Sequence, residues 1–330
     1  MASPPLPDFV SSTNGGADLN TIAETSRQLS THSTVDRRLV HRSCVSEVFI
    51  TDFIQQADLS YRLAAQVPAS NLYFADTSSQ SPASDIRFLV EALRQASIVS
   101  ISEATCDPDL ALVVKSASTR LAGAGRTKRL PGELGIATSL TWTSIRRGRP
   151  RAGVCLLEVS DLHTGEVLCT QELHGMLFLR EEALALREGV RGSAPPSSDQ
   201  WRAATSDDPR LAGGVALSSD PRNLTLRDLE ISQESARALL SPPWSNGALF
   251  DHGYDHVPMQ VLLEAAFQAS HAVCGGPQQW EAIESSFEGF VELDSPTTVA
   301  AHSDLAGHVQ VLFRQDEQLV ATVRLSREVA

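Results

Sequence analysis

The stretch "PMQVLLEAAFQASHAVCGG", Pro258 to Gly276, decides the fold. Its apolar residues fall on nearly every side of a helical repeat, which predicts a helix enclosed by other structure rather than one laid on a surface. Pro258 suits the first turn, where its missing N–H costs nothing, and Gly275-Gly276 suit the end. One carboxylate, Glu264, stands in the middle. Towards the other end of the chain "FLVEALRQAS", Phe88 to Ser97, repeats the core of the pattern: a lone glutamate, alanine next, glutamine four residues on, then Ala-Ser. The offset is 264 − 91 = 173 residues in a chain of 330.

Working outward, both helices sit in the same order of elements. "RLVHRSCVSEVFITDF" from Arg38 precedes the first and "RNLTLRDLEIS" from Arg222 the second, and both read as strands. Ser84 or Asp85 is placed to cap the first helix. After that helix come "DLALVVKSAS", "ELGIATSLTWTSI" and "AGVCLLEVSDLHTGEVLCTQELHGMLFL", the last with a hairpin connection at "DLHTGEV". After the second, "GHVQVLFRQDEQLVATVRLS" reads as a terminal hairpin. An internal duplication explains this order better than chance. The expected division is a Ser- and Pro-rich arm over residues 1–36, a first unit over 37–186, a linker over 187–220 and a second unit over 221–330. A helix enclosed by one antiparallel sheet is the hot-dog arrangement. The expected class is therefore α+β, a tandem hot-dog in which a curled antiparallel sheet wraps each long central helix.

Composition narrows the function. A net charge of −13 and a pI near 5.1 disfavour a general nucleic-acid binder, which needs a basic surface to neutralise phosphates. No run reaches the roughly 18 apolar residues of a membrane span, and the N-terminus lacks a secretory pattern, so the expected location is the cytoplasm. Five widely spaced cysteines without a C-x-x-C predict reduced thiols, with Cys155 and Cys169 as small core residues.

On the two helices Glu91, Arg94 and Gln95 share a face, as do Glu264 and Gln268, with His271 extending the second stripe. A glutamate in such a setting has its charged form disfavoured by burial, which raises its pKa towards acid–base use near neutrality. The alternative is pairing with a neighbour, Arg94 for Glu91, whereas Glu264 has no cation at i+3 or i+4. "DHGYDHVP" supplies Asp251, His252, Asp255 and His256. Gly253 and Pro258 work against a helical metal platform, and a histidine brought by a loop to the helix start reads better as an acid–base or hydrogen-bonding partner. The basic turn "RRGRPR", Arg146 to Arg151, reads either as a solvated turn or as a contact for an acidic partner.

"VHRSCVSEVFITD" (Val40 to Asp52), "EALRQA" (Glu91 to Ala96) and "FDHGYDHVPMQVLLEAAFQA" (Phe250 to Ala269), in that order, resemble the A-factor biosynthesis family, the γ-butyrolactone signal synthases of actinomycetes. That resemblance implies transfer of a β-ketoacyl group from an acyl carrier protein thioester to the hydroxyl of dihydroxyacetone phosphate, with no cofactor and no metal. Carried over position by position, it marks Glu91, Glu264 and His252 as catalytic. It carries over Arg94, Asp255 and His256 as well, and with Gln95 and Gln268 from the helix stripes, Arg42 as a second candidate to anchor phosphate or orient Glu91, and Met259 at the helix start, these are the expected substrate-binding residues. Two positions depart from the pattern: Met259 stands where the family has glycine, and Phe267 where its second helix carries arginine. The competing readings are a hot-dog thioesterase, a 3-hydroxyacyl dehydratase and a non-catalytic binder.

Overall fold

The computed structural model describes residues 28–68, 71, 73–74, 86–107, 110–123, 130–202, 218 and 220–327. The expected cap at Ser84 or Asp85 and most of the expected arm lie outside them.

The helix at Ile86–Thr105 (α1) has 15 of its 20 residues buried, and the one at Met259–Cys274 has 12 of 16, so both are enclosed as their patterns require. Hydroxyls inside these helices are satisfied locally: Ser97 Oγ donates to the Arg94 carbonyl at 2.8 Å, and Ser270 Oγ to that of Phe267 at 2.7 Å. Pro258 caps the second helix, and Gly275, at φ 72, ends it in the left-handed conformation that glycine adopts without strain. Before the first strand the chain makes two short 3₁₀ turns, Arg37–Val40 and Val45–Glu47, where the sequence had suggested strand.

Among the described residues twelve antiparallel strands form a single sheet. In the first half they are β1 (Ile50–Ala57), β2 (Ser60–Gln66), β3 (Leu110–Leu121), β4 (Glu133–Arg146), β5 (Arg149–Asp161) and β6 (Val167–Leu179). In the second they are β7 (Leu226–Ile231), β8 (Ser235–Leu240), β9 (Ala282–Phe287), β10 (Thr298–Ser303), β11 (Val309–Gln315) and β12 (Gln318–Ser326). Their spatial order is β1-β2-β4-β5-β6-β3-β9-β12-β11-β10-β8-β7. Read from each outer edge inward, the halves match strand for strand: 1-2-4-5-6-3 against 7-8-10-11-12-9. The seam is the β3–β9 pair, with Ala117 opposite Ser285. Burial alternates along strands such as β6 and β11, one face on the helices and one to solvent.

Between the halves, the stretch expected as a linker begins with ordered structure: α2 (Arg180–Arg191) and a single turn, α3 (Asp199–Arg202). The sequence carries the signals for α2, with Glu181 and Glu182 in the first turn, Arg191 in the last and Gly192 at φ 77 just beyond. The helix at Met259–Cys274 is accordingly α4. Cys155 and Cys169 are core residues, and burial pushes both thiols up to about 12.

Candidate active site

Helices α1 and α4 contact each other through their glutamates. Gln260 Nε2 donates to Glu91 Oε2 at 2.6 Å, and Arg87 Nη1 reaches Glu264 Oε2 at 3.5 Å. Because 260 − 87 = 173, these are the same contact seen from the two halves, with a carboxamide in one and a guanidinium in the other. The glutamines obey the same symmetry. Gln95 donates to Glu91 Oε1 at 2.7 Å and to the Glu47 carbonyl, and accepts from the Phe49 amide. Gln268 donates to Glu264 Oε1 at 2.8 Å and to the Asn223 carbonyl, and accepts from the Thr225 amide. Each glutamine therefore ties its helix to the segment entering its half's first strand and fixes one carboxylate oxygen.

The two carboxylates nevertheless have unlike surroundings. Glu91 is 1% exposed and surrounded by donors. Arg94 grips it with a fork, Nε to Oε2 at 2.8 Å and Nη2 to Oε1 at 2.8 Å. Arg42, itself buried, adds Nη2 at 2.8 Å and turns Nη1 towards Asp251 Oδ1 at 3.2 Å. Burial alone would push the Glu91 carboxyl up, but the two guanidinium groups outweigh it and hold it down at about 2. This corrects the expectation of a raised pKa for this residue: the pairing alternative prevails here, and with two cations rather than one.

Asp251 extends the cluster. It accepts from the Ser43 amide at 2.6 Å and from the Tyr254 hydroxyl at 3.2 Å, and lies 2.6 Å from His252 Nδ1. Burial would raise its carboxyl, but the His252 contact and Arg42 keep it well below the usual range. Tyr254 stacks on the His252 ring at 4.1 Å, and burial pushes its phenol up to about 12. The chain His252–Asp251–Arg42–Glu91 is thus continuous. Among the described residues no hydrogen bond joins His252 to Glu264, so the histidine belongs with the first glutamate and not with the second.

Glu264 is 3% exposed. It accepts from the Tyr73 hydroxyl at 2.9 Å, and the Arg87 guanidinium lies over the Tyr73 ring at 5.4 Å. Phe267, where the duplication places the counterpart of Arg94, turns this side apolar. Beside Glu91, and joined to Glu264 through Tyr73 and Arg87, lies a narrow cleft. Arg42, Arg87, Glu91, Gln260 and Tyr73 give it polar walls, while Phe74, Val90, Leu263 and Phe267 give it apolar ones. His271, lower on the α4 stripe, is buried, which pushes its pKa down to about 4 and leaves it neutral at physiological pH.

The second Asp-His pair stands apart from the cleft and faces α2. His256 Nδ1 lies 2.6 Å from Asp255 Oδ1, and its ring meets Phe290 edge-on at 5.0 Å. The buried Arg187 donates through Nη2 to the Asp255 carbonyl at 2.8 Å, pairs with Glu292 at 2.9 Å and stacks on Phe290 at 4.2 Å. Its Nε lies 3.0 Å from Asp255 Oδ2, close enough for an ion pair though not aligned as a hydrogen bond. Ser198 completes the strap by exchanging two bonds with Tyr254, its amide donating to the carbonyl at 2.7 Å and its hydroxyl accepting from the amide at 2.9 Å. Met259 opens α4, half-buried against the core. No group of three or more His, Cys, Asp or Glu positioned to hold a metal occurs among the described residues.

Of the residues singled out from the sequence, the structure brings together Glu91, Arg94, Gln95, Arg42, Asp251 and His252, and beside them Glu264 and Gln268, but not Asp255 and His256; the contacts of Tyr73, Arg87, Gln260 and Arg187 were not anticipated. Arg87 and Gln260 each precede a marked glutamate by four residues, a signal available in the sequence. Nothing around Tyr73 announces its partner 191 residues away.

Residues 23–176 match the family model described as the A-factor biosynthesis hotdog domain. The chain is 30% identical over 309 residues to a 2-oxo-3-(phosphooxy)propyl 3-oxoalkanoate synthase of Streptomyces virginiae, covering 87% of this chain and 95% of that one. It is 25% identical over 345 aligned positions to a synthase of the same name from Streptomyces coelicolor, covering 97% and 98%. A 12:0-ACP thioesterase from Umbellularia californica is similar at a TM-score of 0.49 and 14% identity, over 83% of this chain and 98% of that one. With relatives of that identity along nearly its whole length, and two helices each enclosed by half of one antiparallel sheet, the chain belongs to the A-factor biosynthesis hotdog family.

Proposed function

We propose that the protein is a cytoplasmic acyltransferase that moves a β-ketoacyl group from an acyl carrier protein thioester to the hydroxyl of dihydroxyacetone phosphate, the first step towards a butenolide signal. The observation that carries the reading is the pair of buried glutamates, each reached from the facing helix, one lining a cleft and the other bonded to two residues that line it. The names of the two Streptomyces relatives, synthases of a phosphooxypropyl oxoalkanoate, support the choice of acceptor and acyl group. The expected units, 37–186 and 221–330, each contribute one glutamate, so neither makes the site alone.

The unlike environments divide the work. A carboxylate held at about 2 is a poor proton acceptor near neutrality, so Glu91 acts by keeping Arg42, Arg94 and Gln260 in place. Glu264 is the general base. It removes the proton from the acceptor hydroxyl as that oxygen attacks the thioester carbonyl, and Tyr73 orients it. The amides of Met259 and Gln260, which precede the first amides of α4 bonded to the Pro258 carbonyl, stabilise the tetrahedral oxyanion. Collapse forms the ester and expels the carrier thiolate, which takes up the proton. The apolar wall of Phe74, Leu263 and Phe267 receives the acyl chain. His252 supports Asp251 behind Arg42, Asp255 and His256 hold their loop against α2, and the exposed turn around Arg146 and Arg149 meets the acidic carrier.

The test is to incubate the protein with a β-ketoacyl carrier thioester, with and without dihydroxyacetone phosphate, and to read products by mass spectrometry. Ester formed only with the acceptor is the expected outcome. Free acid in both reactions points to a thioesterase instead.

A further inference from the structure

The duplication that relates the two glutamates extends to the loops that reach them. Gln95 donates to the carbonyl of Glu47 and Gln268 to that of Asn223, so these two residues are counterparts, 223 − 47 = 176 apart. Each holds an asparagine. Asn71 Nδ2 donates to both Glu47 oxygens at 3.2 Å, while Asn71 Oδ1 accepts from the amides of Tyr73 at 3.0 Å and Phe74 at 3.4 Å. Asn246, 246 − 71 = 175 residues on, donates to Asn223 Oδ1 at 2.7 Å and accepts from the Ala248 amide at 3.0 Å. One brace therefore carries two loads. In the second half it presents Ala248, whose carbonyl accepts from Arg42 at 3.4 Å; in the first it presents Tyr73, whose hydroxyl donates to Glu264 at 2.9 Å. The braces also differ in charge. Two carboxamides suffice to hold Ala248, yet Tyr73 is held through a carboxylate only 8% exposed, and burial pushes the Glu47 carboxyl up although Arg42 opposes it. A buried carboxylate is costly to keep, and its bonds are stronger than those between neutral amides. The stiffer brace thus stands where a hydroxyl must be aimed, and the softer one where only a backbone turn is needed.

We infer that Glu47 and Asn71 are positioning residues of the active site, a buried brace that holds the Tyr73 hydroxyl on Glu264 and so fixes the direction in which the base meets the acceptor. The inference rests on the acyl-transfer reading and adds to it the residues that aim the base. Among the described residues neither is bonded to Glu264 directly, and both act through Tyr73. With Glu264 Oε1 taken by Gln268, Tyr73 and Arg87 set the other oxygen, and of these Tyr73 is the closer, at 2.9 Å against 3.5 Å.

The experiment measures ester formation from a β-ketoacyl carrier thioester and dihydroxyacetone phosphate by the full chain, for wild type, Y73F, N71A, N71D and the double variants N71A/Y73F and E47Q/N71D, each checked for a folded-state circular dichroism spectrum. Loss of one hydrogen bond to a charged group lowers kcat roughly 10- to 100-fold in Y73F, with KM for the acceptor within a few-fold of wild type. N71A falls by a similar factor, and N71A/Y73F is no slower than the slower single variant, because both act by one route. N71D sets two carboxylates face to face and is slow. Adding E47Q lets a carboxamide at 47 donate to the carboxylate at 71 and restores most of kcat, a rescue that general loosening of the fold would not show and one that reads the brace should N71A not fold. N71A at the wild-type rate, losses that multiply in N71A/Y73F, or no rescue by E47Q overturns the brace. Amide exchange at Tyr73 and Phe74 is measured in parallel and needs no turnover: faster exchange in N71A with no ester from wild type leaves the brace standing and removes the acyl-transfer reading, whereas ester from wild type with exchange and kcat unaltered in N71A does the reverse.

Discussion

Glu91 and Glu264 occupy equivalent places 173 residues apart, yet their neighbours make them chemically different. Burial raises a carboxyl pKa and nearby cations lower it; at Glu91 two guanidinium groups, helped by two carboxamide donors, outweigh the burial. Its folded-state value of about 2 lies below the ordinary 4.5, so the stability it lends is fully present above about pH 4.5 and is lost as the pH falls through the folded value. The difference corresponds to about 3 kcal/mol. Glu91→Gln should remove this acid-sensitive portion and strand Arg42, lowering stability at pH 7 by about 3 kcal/mol in urea unfolding. An unchanged urea midpoint at both pH 7 and pH 3 would show that the ion cluster is not formed. The sequence made the cluster's members legible because they lie on helix stripes and short motifs. What it hid is how they are apportioned, since the partners of Glu91 lie 49 and 169 residues away as well as 3 and 4.

At the scale of elements, α1 and α4 were plain from their all-round apolar patterns, and the long strands β3 to β6 and the β11–β12 hairpin from alternation and turn chemistry, but the short strands β2, β8, β9 and β10 carried too little pattern to be read. α2 was not. Its short amphipathic run, "REEALALREGVR", abuts a segment dense in Ser, Pro and Gly and gives no hint that Arg187 is buried in the other half. The structure makes α2 and the residues up to Trp201 a strap over the loop that carries both Asp-His pairs, with Trp201 stacked on Trp244 at 5.5 Å. Arg187→Ala removes two ion pairs and a ring contact and should cost about 2 kcal/mol, the partners being only partly buried. It should also speed amide exchange across residues 251–256. Arg187→Lys keeps the charge but not the fork or the stacking, and should recover only part of the loss. Exchange in that loop unaltered by Arg187→Ala would mean that the strap does not hold it.

Across the described residues the two halves share both a hydrogen-bonded seam, within one sheet of twelve strands, and a cluster of buried charges. Neither half has a complete cleft, because Glu264 needs Tyr73 and Arg87 from the first half, and Glu91 needs Gln260 and the Asp251 loop from the second. Shared burial of this kind predicts one cooperative transition. Thermal unfolding followed by tryptophan fluorescence, with Trp142 in the first half and Trp244 and Trp280 in the second, should coincide with loss of the far-ultraviolet signal. Two separated transitions would contradict a common core. The duplication was readable as a repeat in the sequence, but the pairing of β3 with β9 was not, since no local pattern names a partner strand. The central claim is that Glu264 is the base in this shared cleft, and single-turnover acyl transfer to dihydroxyacetone phosphate by Glu264→Gln tests it most directly. A folded protein slowed about 100-fold or more, with binding of the acceptor little changed, is the predicted result, and transfer at the wild-type rate would contradict it.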